Sequence, residues 1–497
     1  MASIKSKPGM PNPGVSGISV YLPALRVDLE AWCGWTDQSW PKIQATVGKS
    51  YRLPAPDENA YTMAATAVLR LIRDNKIDPQ RIGYLGLGTE SSTDNSAGSV
   101  IVRGMVDRAL AALGLPRLSR NCEVHEIKHA CLGGVYALKG AARYLSVDGR
   151  DRQAIVVSSD VAEYERGSSG EQTQGAGAVA MLCEPEAKLF ELDLAKSGSS
   201  SDYRGPDFRK PRAGSLMGKN DGHAIRPRDF PVFNGKYSTY SYVDETLQAF
   251  DDMVRKSGLN HSEALLRSDS LFFHRPYQNM PLQAAGYLFL KARLTDSGNS
   301  PLIEELCSAA ETTREDVLAE LATSPDLFGR VLSGDANVDP MPATGRVAAL
   351  MRKTPDFAAF TKEKMSLGSA FTAHFGNMYA ASLPAWMAAG LQDAVDRNID
   401  LGDTETLLIG YGSGDAAECI PARIPAGFQD YAARIGLSSA MEGAQDLTRA
   451  QYESLHDDQY ADDLKPLPGD RFRITHLGEQ RGAAFQDVGV EYYEYIS

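Results

Sequence analysis

The chain of 497 residues is predicted to fold as an α/β protein. Apolar residues recur at helical spacing over Tyr61–Asn75 and Gly133–Val147, whereas Arg81–Thr89 and Ala154–Ser158 are short apolar runs typical of buried strands. Helices and strands that alternate in this way pack as layers of helix on sheet. Because 43% of the residues are hydrophobic, the chain can also bury a sizeable core.

The same alternation returns in the second half of the chain. A helix is expected over Val243–Ser257, a strand over Ser270–His274, a helix near Leu282–Ala292 and a strand over Thr406–Ile409. Length alone, at roughly 150 residues per domain, suggests about three units. The repeated pattern instead favours two related α/β halves.

Two stretches do not follow this alternation. Lys196–Asn234 is rich in Ser, Gly, Pro, Arg and Asp and is too long for an ordinary connection, so we expect a functional loop there. Leu302–Asp356 carries short helical patterns broken by prolines and is predicted to be a helical insertion. Further strands are expected at Gly14–Leu22, Ala176–Leu182 and in the tail, Arg471–Ser497. The predicted division is a first half over 14–195, an irregular segment over 196–240 and a second half over 241–497.

The charge balance excludes several classes of partner. Lys and Arg number 51 against 64 Asp and Glu, a net charge of −13, which disfavours binding to nucleic acid or to anionic membranes. The sequence contains no apolar run of about 18 residues and no secretory signal pattern in its first 17 residues. Six cysteines without paired spacing favour a reducing compartment, so a cytoplasmic location is expected.

Cys131 is the strongest candidate nucleophile in the sequence. It follows a strand-like run, Cys122–Ile127, and precedes two glycines and a predicted helix. The start of a helix offers free N–H groups and the positive end of its dipole, so we expect a lowered thiol pKa. The glycines would let a substrate approach the backbone closely. The alternative is a small buried hydrophobe, the usual role of a free cysteine.

The segment just before Cys131 matches the zinc-protease pattern H-E-x-x-H at His125–His129. A zinc site of this kind needs a helix, so that both histidines share one face. The segment is not patterned as a helix and no third ligand follows at close spacing. The sequence therefore predicts no metal site there. A zinc hydrolase using His125 and His129 is a less favoured hypothesis.

Polar residues that follow predicted strands supply further candidates. Glu90 ends one strand, where α/β folds place active sites, and His274 ends another just before a proline. Asn377 precedes a helix rich in Ala and Leu, and Gly412 and Ser413 end the last core strand, where backbone N–H groups could bind an oxyanion. The alternatives are structural roles: Glu90 as a capping or solvent-facing carboxylate, His274 as a hydrogen-bonded structural histidine, and Asn377 as a helix cap.

Together these motifs resemble the 3-hydroxy-3-methylglutaryl-CoA synthase family of the thiolase superfamily, over almost the whole chain. Each motif is short, but five catalytic-type motifs in this order are specific. The resemblance implies a thiolase-like five-layer αβαβα fold of two related halves and a homodimer. The five motifs are Gly-Thr-Glu90, Ala-Cys131, Phe-His274-x-Pro-Tyr, Gly-Asn377-Met-Tyr-x-Ala-Ser-Leu and Tyr-Gly-Ser413-Gly. Three further matching segments lie between them: Gly-Ala-Gly-Ala-Val-Ala-Met-Leu at 175–182, Asp207-Phe-Arg-Lys-Pro211 and Pro231-Val-Phe-Asn-Gly-Lys-Tyr-Ser238.

The resemblance also implies roles. Cys131 would carry an acetyl group, Glu90 would remove a proton from its methyl, and His274 would polarise and protonate the ketone of an acetoacetyl-type thioester. Asn377, Ser413 and Gly412 would position the acceptor and the thioester oxygens. Tyr164 would line the acyl pocket. Thr173 lies in Thr-Gln-Gly where the family usually has Thr-Gly-Gly, so the extra side chain is expected to alter that pocket. Acetyl-CoA and acetoacetyl-CoA would be substrates, with no cofactor.

One departure concerns the carrier of the acyl groups. The family usually has lysines for the CoA phosphates after His-x-Pro-Tyr, but residues 278–283 carry none. Basic residues of the neighbouring loop and its 212–229 insertion are the candidate replacements, or else a solvated surface. These are Arg204, Arg209, Lys210, Arg212 and Lys219.

A synthase acting on CoA thioesters is the leading hypothesis. A β-branching synthase acting on a ketoacyl chain bound to an acyl-carrier protein is the second, and a non-catalytic thiolase-fold scaffold is a further alternative.

Overall fold

The computed structural model describes residues 12–92, 97–207, 209, 230–232, 234–295, 301–458 and 460–497. No helix in these ranges is both long and apolar enough to cross a membrane. The strands are β1 (Gly14–Tyr21), β2 (Leu25–Asp28), β3 (Ser50–Leu53), β4 (Ile82–Gly88), β5 (Glu123–Ile127), β6 (Gln153–Ala162), β7 (Gly175–Glu184), β8 (Phe190–Leu192), β9 (Gly198–Ser201), β10 (Ser270–Phe273), β11 (Thr404–Gly412), β12 (Ala416–Ile424), β13 (Gln445–Asp446), β14 (Arg471–Leu477) and β15 (Glu491–Ile496).

The helices flank these strands along the whole chain. They are α1 (Leu29–Thr36), α2 (Trp40–Thr46), α3 (Ala60–Asp74), α4 (Gly98–Ala112), α5 (Gly133–Val147), α6 (Gly235–Ser257), α7 (His261–Arg267), α8 (Asn279–Thr295), α9 (Pro301–Ala309), α10 (Arg314–Leu321), α11 (Leu327–Ser333), α12 (Pro342–Met351), α13 (Pro355–Lys364), α14 (Ser369–Thr372), α15 (Ser382–Asp396), α16 (Gln429–Ala432), α17 (Leu437–Met441) and α18 (Arg449–Asp458). Short 3₁₀ turns lie at Pro79–Arg81, Glu171–Thr173 and Tyr379–Ala381.

One long sheet runs through the molecule in the order β10-β11-β12-β8-β1-β7-β6-β4-β5, and β9 pairs with β12. The strands of the first half, β1, β7, β6, β4 and β5, form one side of it, and β9 to β12 form the other. The three-residue strand β8 pairs with both β1 and β12, so it connects the two halves. A separate small sheet, in the order β13-β2-β3, lies beside them.

The side chains of β6 show how the layers are stacked. Ile155 and Val157 belong to the same core as helices α3 and α4, whereas Ala154 and Val156 share a core with α5 on the opposite face. Adjacent residues of a strand point to opposite faces, so this alternation buries both faces of the sheet. The far side of α5 packs on β11, and α6 covers β9, β11 and β12 from outside. The two halves of the long sheet therefore form two layers, with α5 between them and further helices outside, which is the expected order of helix, sheet, helix, sheet and helix.

The structure differs from the sequence expectation in the segment Lys196–Asn234. Gly198–Ser201 was expected to be loop, yet it forms strand β9 along β12. Three serines after a glycine carry no apolar alternation, so the sequence gives no strand signal. Helix α6 also begins eight residues before the expected Val243. The side chains of its first turns are mostly polar, so the apolar periodicity that predicts a helix starts only later. The expected helical insertion is present as helices α9 to α13.

Candidate active site

The turn before helix α5 holds Cys131 in a buried apolar pocket. Strand β5 ends at Ile127, and Ala130 adopts a left-handed conformation with φ of 42° just before the cysteine. A residue other than glycine in this region costs roughly 1–3 kcal/mol and is held there only by its surroundings. The side chain of Cys131 is enclosed by Ala162, Tyr164 and Tyr379.

The expectation of a lowered thiol pKa at Cys131 is wrong. Burial raises the pKa of the Cys131 thiol well above its usual value, and the carboxyl groups of Asp160, Glu90 and Asp207 raise it further. A thiolate would have to form without water and beside negative charge, which outweighs the field of the helix start. The resting residue is therefore a neutral thiol, and a base must take its proton when it attacks.

Glu90 reaches the same turn from the neighbouring strand. It lies two residues after the end of β4, and its Oε2 accepts a hydrogen bond from the backbone N–H of Ala130 at 3.1 Å. Strands β4 and β5 run parallel, so their carboxyl ends meet at one edge of the sheet. The carboxylate is thereby fixed one residue from Cys131.

Asp160 organises the loop that carries Glu90. Its Oδ1 accepts hydrogen bonds from the Thr89 hydroxyl at 3.0 Å, the Glu90 N–H at 2.7 Å, and the Ser91 N–H and hydroxyl at 2.9 Å each. Its Oδ2 accepts the Ala380 N–H at 2.9 Å, and burial raises the pKa of Asp160 to about 7. Asp160 was not identified from the sequence, although an acidic side chain near the end of a buried strand was a usable signal.

His274 lies beyond the end of β10 with its imidazole buried. The backbone N–H of His274 donates to the Ile409 carbonyl at 2.7 Å, and its backbone carbonyl accepts the Tyr242 hydroxyl at 2.9 Å. Burial lowers the pKa of His274 to about 3, and Nδ1 has no hydrogen-bond partner among the described residues. The ring is therefore neutral and can offer one N–H and one lone pair to a ligand.

Three residues expected to bind substrate surround the same pocket. Burial and the nearby Cys131 sulfur raise the pKa of Tyr164, while hydrogen bonds with Tyr379, Asn377 and Thr173 act in the opposite direction. Asn377 is not the cap of the following helix, since α15 begins after Ala381, but its Oδ1 accepts the Tyr379 N–H at 2.9 Å and the Ser382 hydroxyl at 3.2 Å. Tyr164, Thr173 and Asn377 are thus brought together beside Cys131.

Gly412 lies against the turn of the nucleophile. A Cβ at this position would lie 2.7 Å from the His129 carbonyl oxygen and 2.8 Å from the Leu132 nitrogen, so only glycine fits. The adjacent Ser413 is half-buried, and its side chain is hydrogen-bonded with Tyr411. The end of β11 therefore forms the wall of the site opposite β4.

A buried pair of carboxyl groups adjoins this wall. The Tyr411 hydroxyl donates to Asp415 at 2.8 Å and also lies 3.3 Å from an oxygen of Asp207. Burial raises the pKa of both carboxyl groups, and the charge of Asp207 raises that of Asp415 further. The ring of Tyr411 stacks beside that of His274, with centroids 6.3 Å apart. From the sequence, Asp207 was recognised only as part of a motif and Asp415 was not identified.

The H-E-x-x-H segment does not form the helix that a zinc site would need. His125 and Glu126 lie on strand β5, where Glu126 accepts the Gly98 N–H at 2.7 Å and His125 contacts Glu123 at 3.0 Å. His129 lies beyond the strand and packs edge-on against Tyr136. No cluster of three or more metal-binding side chains occurs within the described ranges.

The basic residues expected to bind a phosphate group are only partly placed. Arg209 is exposed, whereas Lys210, Arg212 and Lys219 lie outside the described residues. Arg204 cannot bind a partner, because it is 1% exposed and forms ion pairs with Asp244 and with Glu245, the latter at 2.8 Å. Its expected place in a surface patch is wrong, since two buried carboxylates on α6 hold its guanidinium inside the protein.

Comparison with known proteins adds independent information to this geometry. Residues 10–188 match the family described as hydroxymethylglutaryl-coenzyme A synthase N terminal. The chain is 24% identical over 463 residues to the hydroxymethylglutaryl-CoA synthase of Enterococcus faecalis, which covers 93% of this chain and 96% of that one.

Solved structures share the fold over nearly all of the chain. MvaS in complex with 3-hydroxy-3-methylglutaryl coenzyme A has a TM-score of 0.75 at 24% identity, and the match covers 98% of this chain and all of that one. The HMG synthase of the curacin biosynthetic pathway, in complex with an acetyl donor-ACP, has a TM-score of 0.68 at 19% identity and the same coverage. The family model over the first part of the chain, the relatives over most of its length and the shared thiolase-like fold show that this chain is similar to the hydroxymethylglutaryl-CoA synthases and is an enzyme of that kind.

Proposed function

We propose that this chain joins an acetyl group carried on Cys131 to the ketone of a 3-ketoacyl thioester, giving a 3-hydroxy-3-methylglutaryl-type thioester. The observation that carries the proposal is the hydrogen bond from the Ala130 N–H to Glu90 at 3.1 Å, which holds a carboxylate one residue from a buried thiol. The reaction uses the two thioesters and water and needs no cofactor.

The first step transfers the acetyl group. The Cys131 sulfur attacks the thioester carbon of acetyl-CoA, the bond to the CoA sulfur breaks, and the thiol proton leaves with the CoA thiolate. The high pKa of Cys131 makes the free thiol a poor nucleophile, so the step depends on a neighbouring carboxylate to accept the proton as attack occurs. Asp160, with a pKa of about 7, is the carboxyl group whose charge acts most strongly on the Cys131 thiol, and it is the proposed acceptor of this proton.

The second step forms the carbon–carbon bond. Glu90 removes a proton from the methyl group of the acetyl thioester, and the resulting enolate carbon attacks the ketone. His274, neutral because it is buried, donates an N–H to the ketone oxygen and stabilises the alkoxide that forms there. His274 then gives its N–H proton to that oxygen, and the proton that Glu90 removed from the methyl group restores the neutral imidazole. Asn377, Ser413 and the backbone at Gly412 orient the acceptor.

The third step releases the product. Water adds to the thioester that joins the product to Cys131, and cleavage of the carbon–sulfur bond gives a carboxylate and restores the thiol. Purified protein incubated with acetyl-CoA and acetoacetyl-CoA should therefore yield 3-hydroxy-3-methylglutaryl-CoA by mass spectrometry. With acetyl-CoA alone, the intact protein should gain one acetyl group that is absent from Cys131→Ser. An adduct that persists in Cys131→Ser would contradict the assignment.

A second candidate substrate is a ketoacyl chain bound to an acyl-carrier protein. The start of helix α8, after the His-x-Pro-Tyr motif, carries no cation until Lys291, and that lysine is buried and paired with Asp251 at 2.5 Å. The curacin synthase, which shares the fold, was solved with an acetyl donor-ACP. The deciding measurement is kcat/KM for acetoacetyl-CoA against acetoacetyl-carrier protein. A low-micromolar KM for the CoA thioester that does not respond to salt favours the CoA substrate.

We also propose a homodimer. Strand β5 ends the long sheet, and its outer edge has no partner strand among the described residues. An exposed sheet edge is a surface on which a second copy can pair. Light scattering should give a mass of about twice 53.8 kDa. Lys128 follows β5 and is exposed, so Val124→Pro, which blocks pairing inside the strand, should give a monomer while Lys128→Ala should not.

A further inference from the structure

The side chain of Gln174 is buried and uses all of its hydrogen-bonding capacity. Its Nε2 donates to the Tyr452 hydroxyl at 3.1 Å and the Tyr51 hydroxyl at 3.3 Å. Its Oε1 accepts the backbone N–H of Tyr164 at 2.9 Å and Nε2 of His456 at 3.1 Å. An amide offers two donors and two acceptor positions, so the set is complete. Gln174 is therefore linked to the wall of the acyl pocket through Tyr164.

These hydrogen bonds connect the wall of the acyl pocket with a helix from late in the chain. Tyr164 encloses Cys131, while Tyr452 and His456 lie on α18. Nε2 of His456 also donates to the Tyr164 carbonyl at 2.8 Å, so both peptide groups of Tyr164 are held from the same side. The Tyr452 hydroxyl in turn donates a hydrogen bond to Glu171 at 2.7 Å.

The backbone of Gln174 fixes the opposite side of the pocket. Its carbonyl accepts the Asn377 N–H at 3.3 Å, and a Cβ on Gly376 would lie 1.9 Å from that carbonyl oxygen. Gly376 also has a φ of 71°, so glycine is required for this approach. One residue thus joins the tyrosine wall, the Asn377 loop and α18.

We infer that Gln174 is a specificity-determining residue that keeps the acyl pocket at the size of an acetyl group by fastening Tyr164 to helix α18. The inference rests on the proposed acylation of Cys131. Without the amide, the Tyr164 N–H and the His456 N–H lose a buried acceptor, and the tyrosine wall is free to move outward. A larger acyl group then fits beside the sulfur, and discrimination against it falls.

The test compares acylation by acetyl-CoA and propionyl-CoA. One extra methylene in a tight apolar pocket is rejected by about 10–200-fold, and we expect the wild-type protein to fall in that range. Gln174→Ala should reduce the ratio of the two kcat/KM values to within about fivefold, because the pocket no longer excludes the methylene. Gln172→Ala is the matched control, since the Gln172 amide donates to the Ser169 carbonyl at 2.8 Å and not to Tyr164, Tyr452 or His456. It should keep the wild-type ratio.

A second variant approaches the same link from α18. Tyr452→Phe removes the hydroxyl that accepts from Gln174 and leaves the aromatic packing with Trp35 and Tyr51 in place. It should lower the acetyl preference in the same direction, and the double variant with Gln174→Ala should go no further than Gln174→Ala alone. If Gln174→Ala does not fold, Tyr452→Phe carries the test by itself.

A probe that needs no acyl transfer separates this inference from the proposed function. Alkylation of Cys131 by iodoacetamide and by the bulkier N-ethylmaleimide is followed by peptide mass spectrometry. Gln174→Ala should raise the relative rate of N-ethylmaleimide several-fold, even if wild-type protein takes no acetyl group and the proposed function fails. If both size ratios stay unchanged in Gln174→Ala and in Tyr452→Phe, or if Gln172→Ala shifts them equally, the inference is overturned.

Discussion

The carboxylate of Glu90 and the backbone of Ala130 are joined by a hydrogen bond of 3.1 Å across two parallel strands. Ala130 holds a left-handed conformation in the turn that presents Cys131, so the same contact fixes the base and shapes the turn of the nucleophile. The backbone N–H of Glu90 donates to Oδ1 of Asp160 at 2.7 Å, which fixes the peptide group of Glu90. The two chemical groups of the proposed reaction are thus positioned by one continuous set of hydrogen bonds.

Glu90→Gln should separate acylation from condensation. The amide oxygen can still accept the Ala130 N–H, so the turn of Cys131 is kept, but the group can no longer remove a proton. We expect acetylation of Cys131 within a few-fold of wild type and condensation lowered by about 10²–10⁴-fold, the usual contribution of a general base. Single-turnover kinetics with acetyl-CoA, followed by addition of acetoacetyl-CoA, measures both steps. Near-normal condensation would assign the base to another residue.

Gly412→Ala should impair the enzyme by displacing the turn of Cys131. The added methyl group would lie 2.7 Å from the His129 carbonyl and must push the start of α5 away. A misplacement approaching 1 Å lowers kcat/KM by about tenfold to a hundredfold. Gly104→Ala, on α4 where no atom lies within 4 Å of the new methyl, is the control. It should leave activity unchanged and raise stability by about 0.4–1 kcal/mol. Equal effects of the two substitutions would exclude the steric explanation.

The alkylation of Cys131 should respond to pH as that of an unactivated thiol. Because burial raises its pKa, the thiolate fraction should grow about tenfold for each pH unit across the range from 7 to 9. A cysteine activated by a helix start would instead reach a plateau below pH 8. Iodoacetamide labelling of the peptide that contains Cys131, set against free glutathione at each pH, gives the profile. A plateau near neutral pH would show that another group lowers the pKa in solution.

His274 should make the folded protein less stable in mild acid. The pKa of His274 is about 3 in the folded state and about 6.5 when exposed. Between these two pH values the unfolded chain binds a proton at His274 and the folded chain does not. This stabilisation of the folded state is complete above pH 6.5 and is lost as the pH falls toward 3. At pH 5 the free energy of unfolding has decreased by about 2 kcal/mol. His274→Asn removes the titration, so its Tm should fall less than that of wild type between pH 7 and 5. Parallel curves would contradict a buried neutral imidazole.

The main strands and helices could be predicted because their apolar periodicity is local. Strands β4 and β6 and helices α3 and α5 lie within a few residues of the expected positions. Strand β9 could not be predicted, since its serines become strand only through pairing with β12, more than 200 residues away. The small strands β2, β3 and β13 also depend on distant partners.

The site could be predicted only as far as residue types and order allow. Cys131, Glu90 and His274 were identified from motifs at the ends of strands, but the pKa of the thiol was expected to move the wrong way. That error arose because the field of a helix start is visible in the sequence, whereas burial beside Asp160 and Asp207 is a property of the folded chain. The direction of the Gln174 side chain likewise depends on α18, which is distant in sequence.

The hairpin of β14 and β15 has a consequence for the synthesis of the protein. Phe472 belongs to the core of the first half, and its N–H donates to Thr66 on α3, a residue translated 406 positions earlier. At about 5–20 residues per second, α3 emerges from the ribosome roughly 20–80 s before the strand that covers it. During that interval an apolar surface of the first half stays open to water and to other nascent chains. The core of the first half is therefore closed only after the hairpin of β14 and β15 has been synthesised, late in translation.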